Sequence, residues 1–154
     1  MHSNGIAHWD LKPANIFITE EGQLKLGDLA TAYISERASK NFGIRQSSWK
    51  SEDTNDSNEE RKWDTFVGTQ DYVSPEVLKS LGASMPADIW SLGVIIYQLI
   101  GGKCPFTCTN EYDVFQKIIK VEFDFPDDFP PNARDLISKM LLIDEDRRLG
   151  AGSE

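Results

Sequence analysis

His8-Trp9-Asp10-Leu11-Lys12-Pro13-Ala14-Asn15 gathers a carboxylate, an amine and a carboxamide on one short stretch that Gly5 and Pro13 punctuate as loop. Directly after it, Ile16-Phe17-Ile18 and Leu24-Lys25-Leu26 flank Thr19-Glu20-Glu21-Gly22-Gln23. Two short apolar runs around a glycine-containing turn predict a hairpin. The second arm leads into Asp28-Leu29-Ala30. Polar loop residues therefore stand at both ends of one small hairpin.

Further out, the composition changes. Residues 35–64 are rich in Ser, Asn, Asp, Glu and Lys, and 51–60 are almost wholly polar and acidic. Such a segment buries too little apolar surface to offset its ordering entropy, so it is expected to be a disordered insert. Helical signals follow. Ser74-Pro75-Glu76 opens a short helix that Gly82 would close. Residues 88–100 are apolar nearly all round and predict a buried core helix ended by Gly101-Gly102. Asn110 is placed to cap a helix with Tyr112, Phe115, Ile118 and Ile119 on one face. Asn132 is placed to cap another, with Ala133, Leu136, Ile137, Met140 and Leu141 spaced along one stripe. The fold class is mainly α, with one small hairpin near the start.

The chain has 154 residues and a formal charge of −9. That is enough for one globular domain. The acidic balance argues against nucleic-acid binding, which needs a density of Lys and Arg. No apolar run spans a bilayer and no secretory leader is visible, so a cytoplasmic location is expected. Cys104 and Cys108 would need further ligands to hold a metal, and the only histidines are His2 and His8. They are read as reduced thiols.

Four motifs occur in a fixed order: His8 to Asn15, then Asp28-Leu29-Ala30, then Gly68-Thr69-Gln70-Asp71-Tyr72-Val73-Ser74-Pro75-Glu76, then Asp88-Ile89-Trp90-Ser91-Leu92-Gly93, with Arg148 near the end. Together they resemble the protein kinase family. The likeness implies the C-terminal lobe of a Ser/Thr kinase, here incomplete, with the hairpin bearing the catalytic and magnesium loops. Phosphoryl transfer is mainly positioning and charge neutralisation. The resemblance gives Asp10 the task of orienting the acceptor hydroxyl and Lys12 that of following the phosphoryl group. It makes Asn15 and Asp28 the oxygen ligands of Mg²⁺ and, through it, of ATP. Thr69 would support the acceptor segment. Glu76 would pair with Arg148, and Asp88 would cap amides of the catalytic loop. His8 is read as a packed core histidine.

Asp64-Thr65-Phe66-Val67-Gly68-Thr69, Phe115-Gln116-Lys117-Ile118-Ile119-Lys120 and Phe123-Asp124-Phe125-Pro126 carry the likeness further. They resemble the phosphoinositide-dependent kinases of the AGC group. That implies protein substrates, other AGC kinases among them. It also implies a lipid-binding domain elsewhere that takes the family to the plasma membrane, with no membrane contact from this chain.

The chain departs from that pattern in specific places. Trp9 stands where the family has an Arg that grips the activation-loop phosphate, and Tyr33 where a Lys assists it. Thr65 matches the phospho-acceptor. With both cations replaced, a phosphate on Thr65 is expected to order its loop only weakly. Leu29 and Ala30 replace Phe and Gly, and Ala restricts the backbone where Gly is free. No glycine-rich phosphate loop or accompanying Lys–Glu pair is visible, and Met1 resembles an internal residue of the family. The sequence is therefore read as a partial domain that is a poor catalyst alone. Two other readings stay open: a pseudokinase that binds kinase substrates as a decoy, and a truncated copy without function.

Overall fold

The computed structural model describes residues 1–35, 38, 39, 41, 70–79 and 85–151. Most of the 35–64 insert, together with Thr65, Thr69 and Gly82, lies outside them. At the start of the insert, Ser35 accepts from Ser39 N through its carbonyl at 2.8 Å and from Ala38 N through its hydroxyl at 3.2 Å. Ala38 and Ser39 are buried.

The hairpin forms at the expected residues. Strand β2 (Ile16–Ile18) pairs antiparallel with β3 (Leu24–Leu26), Phe17 opposite Lys25. Gly22 closes the turn at φ 77°, a conformation glycine adopts without a Cβ penalty. A second two-stranded sheet was not legible in the sequence. Strand β1 (Ile6–Ala7) pairs antiparallel with β4 (Tyr33–Ile34). Two-residue strands show no alternation, and their pairing is non-local. Gly5 makes this approach feasible, because a Cβ there would lie 2.2 Å from Ser35 Oγ.

Four α-helices follow among the described residues: α1 (Pro75–Leu78), α2 (Pro86–Gly101), α3 (Glu111–Lys120) and α4 (Pro131–Met140). Helix α2 begins earlier than residue 88, because Pro86 suits the first turn, where its missing N–H costs nothing. It ends as expected at Gly102, whose left-handed φ of 76° lets its N–H reach Gln98 O. It is not buried all round: Leu92, Leu99 and Ile100 are exposed. Asn110 caps α3, its Oδ1 accepting from Asp113 N at 2.9 Å. The buried face of α3 is Val114, Phe115 and Ile118, while Tyr112 is 69% exposed. Asn132 does not cap α4. The chain enters through Pro130 and Pro131, whose fixed φ suits a helix start, and Asn132 falls inside the first turn.

Trp90 on α2 stacks on Phe106 at 5.5 Å, and Tyr97 lies against Phe123, Phe125 and Phe129. The Tyr97 hydroxyl donates to Asp124 O at 2.6 Å. Each fully buried side chain of this size contributes about 1.5–3 kcal/mol by leaving water. Gly93 lets α2 approach α4: a Cβ there would stand 3.0 Å from both Leu141 Cδ2 and Met140 Cβ.

Candidate active site

The core helix holds the loop from below. Asp88, buried near the start of α2, accepts from His8 N at 2.7 Å through Oδ2 and from Trp9 N at 2.8 Å through Oδ1. His2 Nε2 reaches the same Oδ2 at 2.8 Å. Aspartate suits this position because it accepts through two oxygens at once. An apolar recess of about 360 Å³ beside it is lined by Leu11, Leu26, Ile89 and Leu92 among others.

His8 is fully buried. Its Nε2 lies 2.8 Å from Gly27 O, a carbonyl that can only accept, and Nδ1 lies 3.3 Å from Asp10 N, which can only donate. These two partners assign the neutral ring with its proton on Nε2. Thr31 Oγ1 donates to His8 O at 3.3 Å. His8 thus ties the residues before Asp10 to the strand leading into Asp28.

Asp10 meets both polar neighbours that its sequence supplies. Its Oδ2 lies 2.9 Å from Lys12 Nζ and accepts from Asn15 Nδ2 at 3.0 Å. The same Asn15 nitrogen donates to Asp10 O at 2.8 Å. With Nδ2 turned to Asp10, Oδ1 is the Asn15 atom left to meet a cation. Gly27 N donates to Asn15 O at 2.9 Å, closing the base of the hairpin and bringing Asn15 and Asp28 to the same end of it. Asp28 adopts a left-handed φ of 55°, rare for a residue with a side chain. One carboxylate and one carboxamide oxygen suit a hard cation such as Mg²⁺, which keeps several water or phosphate ligands rather than a full protein cage. Among the described residues no group of three or more His, Cys, Asp or Glu forms such a cage.

Behind the site, Arg148 forms a two-pronged pair with Glu76, Nη1 to Oε1 and Nη2 to Oε2, both 2.7 Å. Burial would raise the Glu76 carboxyl. The Arg148 hydrogen bonds, and then the backbone of Glu76 and the Arg148 charge, together hold it below its ordinary value. Ser91 Oγ donates to Tyr72 O at 2.8 Å, fixing the segment that enters α1. Burial, aided by Cys104, pushes the Tyr72 phenol up to about 12, so it stays a neutral donor to Gln98 Oε1. Cys104 and Cys108 are free thiols.

The structure therefore brings together Asp10, Lys12 and Asn15, sets His8 and Asp88 beneath them, and joins Glu76 to Arg148 at a distance. Sequence reading missed His2 and Thr31, which carry no motif signal. It paired Trp9 and Tyr33 as replacements of two cations around one phosphate but did not foresee that they meet: their rings stack at 4.9 Å and 12°.

The protein kinase domain family matches residues 1–153. The chain belongs to that family. Human 3-phosphoinositide-dependent protein kinase 1 is 43% identical over 97% of this chain and 24% of its own length. The Arabidopsis thaliana protein of the same name is 39% identical over 100% of this chain and 29% of its own length. Serine/threonine-protein kinase PKH2 of Candida albicans is 42% identical over 96% and 14% respectively. The chain spans a third or less of the length of the first curated relatives it matches.

Proposed function

We propose that this chain is the catalytic-loop lobe of a Ser/Thr protein kinase that transfers the ATP γ-phosphate to protein hydroxyls. The observation that carries the reading is the Asp10–Lys12–Asn15 cluster, mounted on Asp88 at the mouth of the hairpin. Asp10 orients the acceptor hydroxyl and takes its proton at a carboxylate oxygen. Lys12 holds Asp10 in the resting site and is close enough to follow charge that develops on the phosphoryl group. Asn15 fixes Asp10 through Nδ2 and offers Oδ1 to a cation, and Asp28 offers its carboxylate. Mg²⁺ bound with ATP supplies the positive charge that the crowded phosphate oxygens require.

The resemblance of residues 64–69, 115–120 and 123–126 to the phosphoinositide-dependent kinases extends the proposal to activation loops of other AGC kinases as substrates, and to a cytoplasmic location with recruitment to the plasma membrane through a lipid-binding domain elsewhere. Asn15, Asp28 and Lys12 alone hold phosphates weakly, so efficient ATP binding needs groups outside these 154 residues. Thr69 and Thr65 keep their proposed roles as acceptor-segment support and phosphosite.

A second reading is favoured by one observation. The Trp9–Tyr33 stack occupies positions from which the family grips a phosphate with cations. A pseudokinase that binds substrates without catalysis would tolerate that change. ATP–Mg²⁺ calorimetry and a phosphoryl-transfer assay separate the two, run on this chain and on the protein at full natural length. Binding and transfer by the full-length protein alone supports the lobe reading. Absence of both favours the pseudokinase. Tight ATP binding by the 154 residues overturns the need for a second lobe.

A further inference from the structure

We propose that the Trp9–Tyr33 ring stack is a positioning clasp that, beside the hydrogen bonds from Asp88, fixes the Asp10 loop against β4 through an uncharged ring contact; the inference rests on the kinase reading and deepens it.

Trp9 lies between His8 and Asp10 and adopts φ 63°, a left-handed conformation that a bulky side chain takes only when its surroundings hold it there. Its N–H is held by Asp88. Its ring is held by Tyr33, with centroids 4.9 Å apart and planes at 12°, within the range of offset stacking. Tyr33 in turn pairs across the small sheet with Ala7. The contacts close a short cycle. Ala7, His8 and Trp9 are joined by the chain, Trp9 meets Tyr33 through the rings, and Tyr33 meets Ala7 through strand pairing. Residues 7–9 cannot shift along β4 without separating the rings. Asp10 is next in the chain, and its own amide rests on His8.

Core packing does not demand these rings. Trp9 is 37% and Tyr33 39% exposed, so either position would accept a polar side chain. The other ties on these residues, from Asp88, Gly27 O and Thr31 Oγ1, hold the His8 and Trp9 amides, the His8 ring and the His8 carbonyl. The stack is what holds the Trp9 ring. It involves no charge, so the clasp needs no phosphate to close it.

The test uses the full-length protein with Trp9→Ala, Tyr33→Ala, the double variant and Tyr33→Phe. Phosphoryl-transfer kinetics are read beside hydrogen–deuterium exchange at the His8 and Trp9 amides. Each Ala variant is expected to lower kcat about 3- to 10-fold with KM for ATP little changed. The double variant should fall no further than a single one, because both remove one contact. Tyr33→Phe keeps the ring and should keep most of the rate. Tyr33→Ala should speed exchange at both amides. Multiplicative effects of the single variants, or unchanged exchange in Tyr33→Ala, overturn the clasp. If the wild-type protein transfers no phosphate, the kinase reading fails, and exchange alone decides: faster amides sustain the clasp and unchanged amides overturn it.

Discussion

Arg148 and Glu76, 72 residues apart, face each other in a buried two-pronged ion pair with both contacts at 2.7 Å. Arg148 also donates from Nε to Leu142 O and from Nη1 to Pro86 O, and lies over the Trp90 ring at 5.2 Å. One guanidinium thus joins α1, the start of α2 and the chain after α4. Lysine would offer neither the fork nor the flat face.

Removing one partner leaves the other charged and buried. Arg148→Ala is expected to destabilise the fold by about 3–5 kcal/mol. Arg148→Lys should recover only part of that loss. Urea unfolding of the full-length protein, compared by midpoint, checks both; a shift under about 1 kcal/mol for Arg148→Ala would contradict the assignment.

The pair also fixes a pH dependence. Glu76 has its folded carboxyl pKa depressed. Its contribution is therefore fully present above the ordinary glutamate value of 4.5 and is lost as pH falls through the lower, folded value. Thermal midpoints measured from neutral pH downward should drop across that acid window. Glu76→Gln should flatten the part of the slope that this residue supplies.

Asp10→Asn keeps the shape and the Asn15 contact but removes the carboxylate to which the proposed function gives the role of base. The expected loss in kcat is about 10²- to 10⁴-fold, with KM for ATP little changed. Steady-state kinetics on the full-length protein check this, and a rate within threefold of wild type would remove Asp10 from the chemistry.

Chelation of divalent metal should abolish transfer, and added Mg²⁺ should restore it. Asn15→Leu is expected to raise the Mg²⁺ needed for half-maximal rate by about tenfold or more. It should also lower kcat at saturating metal, since Asn15 donates twice to Asp10. A magnesium titration of rate separates the two effects.

Gly93→Ala places a methyl 3.0 Å from Met140 Cβ and Leu141 Cδ2, where α2 meets α4. Overpacking of this kind costs about 1–3 kcal/mol. Calorimetric melting should show the loss, although alanine favours helix more than glycine does.

Local features of the fold were legible in the sequence because a few adjacent residues carry them. Gly22 between two apolar runs specified the β2–β3 hairpin, Asn110 specified the start of α3, and Gly102 the end of α2. Pro130 and Pro131 overrode Asn132 because a rigid φ sets a helix start more firmly than an unused cap. On α3, period alone could not choose between the Tyr112 side and the Val114 side; the neighbours that cover the helix chose.

For the candidate site, the residue types and the order of Asp10, Lys12, Asn15 and Asp28 are legible along the chain without any folding. Family likeness suggested that Asp88 serves the loop and that Glu76 meets Arg148, but spacing could not. Tertiary structure alone decided the β1–β4 pairing, His2 on Asp88, Thr31 on His8, and the meeting of Trp9 with Tyr33. Each joins segments separated by many residues, so its closure depends on how the whole chain packs rather than on the propensity of either end.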